Sequence, residues 1–146
     1  MSNAASNYVE NRTLDFWLNN NSQSTVTPGA SLYVALFHGT AGSVGSAGTV
    51  LDNLEQGTLT DEITLGSYAR QQVGFGSASG GSITNDTTVT FPTATANYDG
   101  TVTCLAIMDA STSGNCLYFG ELSVSKTVTT GDTFQVAIGN ITVSMT

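Results

Sequence analysis

The chain has 146 residues, eleven Asp and Glu against three basic residues (Arg12, Arg70, Lys126) and one histidine, His38, giving a formal net charge of −8. Charged residues make up 10% of it and hydrophobic ones 40%, whereas roughly 25% charged is usual for soluble domains. This balance argues against binding nucleic acid or an anionic membrane, both of which call for clustered Lys and Arg. It also leaves little of the His, Lys and Cys chemistry that most catalysis at neutral pH uses.

The length fits one domain able to bury its own core. No stretch is apolar enough to span a bilayer. Met1 to Leu14 is polar and lacks the apolar core of a secretory signal, so synthesis in the cytosol is expected. Residues 2–20 are the one helical candidate: Ser2 or Ser6 can cap, and Val9, Thr13, Phe16 and Trp17 recur at helical spacing. Asn19-Asn20-Asn21-Ser22 stops that pattern, and everything after it reads as β.

Ser31 to Phe37 is apolar on both faces, as in a central strand of a two-layer protein. The Gly/Ser/Ala tract at 40–48 is too flexible to order by itself. Residues 49–66 form an acidic excursion with room for a short helical turn. Tyr68 to Phe75 reads as a strand, Gly80-Gly81 as a turn, and Thr87 to Phe91 as a strand that stops at Pro92. Thr101 to Met108 and Cys116 to Val124 form the strongest hairpin pair, joined through Asp109 to Asn115. Thr133 to Ile138 and Ile141 to Met145 are separated only by Gly139-Asn140, which predicts a two-residue hairpin. Seven or eight short strands predict a mainly β fold, an antiparallel β-sandwich or jelly-roll-like domain over 23–146, with a short N-terminal helix in a docking segment over 1–22.

Candidate chemistry is sparse, and no catalytic, cofactor-binding or metal-binding residue is expected. His38 ends a strand with no nucleophile motif around it. One His with two Cys twelve residues apart matches no structural zinc spacing. Asp61-Glu62 and Asp52 with Glu55 contain calcium-type oxygen ligands but fit no EF-hand loop, so a solvated acidic loop is preferred. Cys104 and Cys116 read as two small buried thiols, since their spacing implies no disulfide and cytosolic synthesis weighs against one. Arg70 lies mid-strand in a chain nearly devoid of cations. It is expected to be held structurally by a carboxylate or by carbonyls, or in the sharper version by an inter-subunit ion pair. Phe16 and Trp17, with Tyr8 on the same segment, are the aromatic contact candidates, and the segment either covers its own sheet edge or docks on a neighbour.

Several segments in order carry a resemblance: Met-Ser-Asn-Ala-Ala-Ser-Asn-Tyr-Val-Glu-Asn at the start with Leu14 and Asp15, then Leu32-Tyr33-Val34-Ala35-Leu36-Phe37 and Ser67-Tyr68-Ala69-Arg70-Gln71. They continue with Phe91-Pro92-Thr93-Ala94-Thr95, Ala106-Ile107-Met108-Asp109-Ala110, Gly114-Asn115-Cys116-Leu117-Tyr118-Phe119-Gly120 and Gly131-Asp132-Thr133-Phe134. Together they resemble a family of small β proteins among the virion genes of tailed bacteriophages, labelled tail-fibre-like or minor structural proteins, some similar to capsid cement or decoration proteins. The resemblance implies a non-enzymatic virion protein. The first expectation is a homotrimeric cement protein that contacts the major capsid protein and itself through Tyr8, Phe16, Trp17 and Arg70. The alternative is a tail or tail-fibre-like component that touches the host surface, and only there is glycan contact expected.

Overall fold

The computed structural model describes residues 3–18 and 31–145. The expected stop at 19–22 and the boundary between residues 22 and 23 lie outside those residues. The fold is mainly β. Its elements run β1 (Asn3–Ala5), α1 (Asn7–Leu18), β2 (Leu32–His38), α2 (Val50–Glu55), β3 (Gln71–Val73), β4 (Ser82–Thr84), β5 (Val89–Thr90), β6 (Val102–Met108), β7 (Cys116–Lys126), β8 (Gln135–Val136) and β9 (Thr142–Ser144).

An antiparallel five-stranded sheet in the order β1-β7-β6-β2-β3 forms the frame. β2 and β6 lie inside it because their side chains are apolar on both faces, so neither face can be left in water. On one face Val34, Leu36, Leu105 and Ile107 pack against Val89, Phe91, Phe134, Val136 and Ile141. Aromatic contacts tie this layer together: Tyr68 stacks on Phe91 at 5.8 Å, and Phe91 meets Phe134 edge-on at 5.6 Å. On the other face Ala35, Phe37, Cys104, Ala106, Met108 and Phe119 lie under Val50, Leu51 and Leu54 of α2. The small residues at 35, 104 and 106 let the helix come close to the sheet.

The β6–β7 hairpin forms as expected. Irregularities in its register set Cys104 against Glu121 and Met108 against Cys116, so the two thiols are not opposite one another, and both are free and buried. The expected helix over 2–20 is shorter. Residues 3–5 instead pair with Tyr118–Gly120 as an edge strand. The fully buried Ser6 donates its backbone N–H to Leu117 O and its hydroxyl to Cys116 O, and α1 begins only after it.

The expected hairpin across Gly139-Asn140 does not form. The turn is present, with Gly139 at φ 77°, but β8 pairs with β5 and β9 with β4. Asn85 separates them. It is 1% exposed, and its side chain donates to Thr87 O and Ala137 O at 2.8 and 3.0 Å and accepts from Ile141 N at 2.9 Å. These bonds replace the ladder at one point and make β4–β5 and β8–β9 a single interrupted ribbon over the sheet. The tract at 40–48 is not left loose either: Val50 N and Leu51 N donate to Thr40 O and Ala41 O, and Gly45 N donates to Asp52 Oδ1.

Candidate functional site

Chemically reactive groups are drawn into structural roles. Asp52 is buried and accepts from Gly45 N at 3.0 Å and Gln56 Nε2 at 2.8 Å. Asp61 accepts from Asn53 Nδ2 at 2.8 Å. Glu62 accepts from Tyr68 Oη at 2.9 Å and pairs with Arg70. Asp52, Asp61 and Glu62 of the acidic loop, expected to be solvated, therefore brace helix and loop instead, and among the described residues no cluster of His, Cys, Asp or Glu has the grouping of a metal site. His38 ends β2, its backbone N–H on Asp61 O at 2.9 Å. Burial pushes both thiols up, Cys104 to about 11 and Cys116 to about 12, so neither is a thiolate near neutrality.

Arg70 holds chain segments together. Its Nε and Nη2 donate to the two Glu62 oxygens at 2.7 Å each, and its Nη1 donates to Ala110 O at 3.0 Å and Ser113 O at 2.6 Å. The side chain is 4% exposed. The structural reading of Arg70 thus describes its surroundings, and the ion pair considered between subunits lies within one chain. Its partner contact has little guanidinium left to use.

The aromatic candidates behave in the opposite way. α1 has no buried residue along its length. Tyr8 is 37% exposed, Phe16 48%, Trp17 74% and Leu18 78%. Phe16 and Trp17 meet edge-on at 5.1 Å, and Arg12 lies over the Tyr8 ring at 5.1 Å. A helix of this length is marginal in water, and helices in proteins draw most of their stability from a packed face. Each large apolar side chain left in water forgoes about 1.5–3 kcal/mol of burial.

Beside α1 the surface is concave. A cleft of about 760 Å³ separates Val9, Thr13 and Leu14 of the helix from Tyr118, Val143 and Met145. It continues past Tyr118, Val143 and Met145 into a trough of about 370 Å³ walled by Leu32, Phe75, Ile83 and Ile107. Sequence reasoning missed this trough, since it is built where β2, β4, β6 and β9 converge from distant parts of the chain. Among the described residues no helix is long and apolar enough to cross a membrane.

A comparison with curated proteins finds no match. A scan of protein families matches residues 4–144, nearly the whole chain, to the family described as Podophage GP4 fiber I protein gp80. That span takes in β1, α1 and every strand to β9. This chain therefore belongs to the Podophage GP4 fiber I protein gp80 family, a family of bacteriophage virion structural proteins.

Proposed function

We propose that the protein is a fibre component of a podophage virion, a non-catalytic β body that the exposed helix α1 joins to a neighbouring subunit. The single observation that carries this reading is the family match over residues 4–144. The structure is compatible with it: Asp52, Asp61, Glu62 and Arg70 are taken up by internal braces, and among the described residues the exposed aromatic side chains Tyr8, Phe16 and Trp17 all lie on α1. A fibre must bear load without local unfolding, and two apolar layers on either side of one sheet suit that demand.

The match favours the fibre reading over the capsid-cement reading, which was the first expectation. The contacts of Phe16 and Trp17 are accordingly assigned to fibre or tail subunits rather than to the major capsid protein. Gold-labelled antibody against this chain, imaged on intact particles, tests the assignment. Label confined to the tail and its appendages is expected. A regular lattice of label over the head would overturn it in favour of cementing.

A further inference from the structure

Lys126 and Asp132 line one cleft, and among the described residues Lys126 has no carboxylate partner. The cleft measures about 800 Å³, within the range of about 300–1,000 Å³ usual for small-ligand sites. We infer that it binds a neutral saccharide, with Lys126 donating to and Asp132 accepting from hydroxyls of one sugar unit. Such binding goes beyond the fibre assignment and holds wherever on the virion the chain sits.

The β7 strand builds one wall. Its register against β6 sets residues 122–125 opposite Thr103 alone, between the pairs Cys104–Glu121 and Val102–Lys126. A bulge of this kind bends a strand and re-aims its side chains, here bringing Ser123, Val124 and Lys126 to the cleft. Asp132, Gln135, Val136 and Asn140 line it from the β8 side. Asp132 is preset: its Oδ2 accepts from Thr129 N at 2.9 Å and from Thr129 Oγ1 at 2.8 Å. Those bonds hold the carboxyl below its ordinary range and leave Oδ1 as an acceptor. Gln135 donates its amide to Thr90 Oγ1 at 3.1 Å and keeps its carbonyl oxygen. No residue next to 1–2, 19–30 or 146 lines the cleft. It lies at the Val102–Lys126 end of the sheet, whereas Ser31 enters β2 at the Met108 end.

The lining selects the ligand by elimination. A multiply charged anion would meet one ammonium in a chain of net charge −8, which repels it. An apolar ligand would strip water from an ammonium and a carboxylate and give neither a partner. A zwitterion would satisfy those two groups and leave Ser123, Gln135 and Asn140 unused. A sugar ring answers all of them. Each hydroxyl both donates and accepts, so neighbouring hydroxyls serve Lys126 and Asp132 at once, and the C–H face lies against Leu122, Val124 and Val136.

The full chain, isotope-labelled, is tested on an array of bacterial surface saccharides, and the strongest binder is titrated while backbone amides are followed by NMR. Binding is expected, with shifts gathered at 122–128, 132–136 and Asn140. Lys126→Met and Asp132→Asn should each weaken it at least about tenfold (about 1.4 kcal/mol). Circular dichroism should not change, since Asn keeps an oxygen for Thr129. A silent array overturns the inference, as do shifts centred elsewhere or an affinity indifferent to both variants. So does glycylglycine shifting the same amides where saccharides do not, which would make the cleft a zwitterion or peptide site. Gold label over the head together with saccharide shifts in the cleft would sink the fibre assignment alone. Label on the tail with a silent array would sink saccharide binding alone.

Discussion

Arg70 and Glu62 meet through two parallel hydrogen bonds of 2.7 Å, Nε to Oε1 and Nη2 to Oε2. The pair joins the loop after α2 to the segment before β3, and through Nη1 it also grips the β6–β7 turn at Ala110 O and Ser113 O. A chain reaching further runs from Leu36 N to Tyr68 Oη at 3.0 Å and on to Glu62. The Glu62 hydrogen bonds raise the Arg70 pKa, and desolvation opposes them without prevailing.

Glu62→Gln strands the guanidinium and is expected to cost about 3 kcal/mol, as when one partner of a buried pair is removed. Arg70→Met combined with Glu62→Met should recover a large part of that loss. Urea unfolding of the three variants checks it. A Glu62→Gln cost under about 1 kcal/mol would mean that the pair behaves as a surface bridge.

Asn85→Ala leaves Ile141 N without its acceptor and Thr87 O and Ala137 O without their donor. Buried groups left unpaired cost about 1–3 kcal/mol each where water cannot enter, so a loss near 3 kcal/mol is expected. Asn85→Asp should be at least as harmful, because it keeps the acceptor but removes both donated bonds and adds charge. Hydrogen exchange should show the loss concentrated at 82–90 and 135–144. Uniform loss over the whole sheet would argue against the local role of Asn85.

Asn85 also shows where the sequence stops being legible. Gly139-Asn140 between two apolar runs is a sound hairpin signal, and the turn forms, yet the flanking strands leave each other for β4 and β5. That outcome depends on a side chain 56 positions from Ile141, which no local pattern encodes. β2, β6 and β7 were readable because long apolar runs have few other fates. β1 was not, since Asn3-Ala4-Ala5 has no strand pattern and becomes one only by adding to the edge of β7. For the site, the helical period of Val9, Thr13 and Phe16 revealed α1 but not its lack of cover. Scarcity of cations marked Arg70 as structural, while Glu62, Ala110 and Ser113 could be named only once the fold had brought them there.

Gly66 occupies a left-handed conformation at φ 76°, where an added Cβ would lie 2.5 Å from Ala96 O and 2.8 Å from the Tyr98 ring. Gly57 has nearly the same φ, 77°, with nothing within 4 Å of such an atom. Gly57→Ala should therefore cost only the left-handed strain, about 1 kcal/mol, and Gly66→Ala clearly more, about 3 kcal/mol once the clash is included. Thermal unfolding separates them by several degrees, at about 2–4 °C per kcal/mol for a domain of this size. Equal melting temperatures would show that the 66–68 turn shifts freely.

Cys104 and Cys116 set the alkaline limit. Burial raises them to about 11 and about 12, against roughly 8.5 for an unfolded thiol. Below the unfolded value both states hold the proton and the stability contribution is complete. As pH climbs past it, only the unfolded chain ionises, so stability falls and goes on falling until the folded values are reached. The melting temperature should be flat from neutrality to about pH 8.5 and then decline. The hydroxyls of Tyr68, Tyr98 and the half-buried Tyr118, also raised by desolvation, steepen the decline above about pH 10. Cys104→Ala with Cys116→Ala should lower the plateau by its cavities but remove the first part of the slope. Alkylation offers a second reading of the same burial: at slightly alkaline pH both thiols should be slow to react in the folded chain and fast in urea. Equal rates in the two states would place at least one sulfur within reach of solvent.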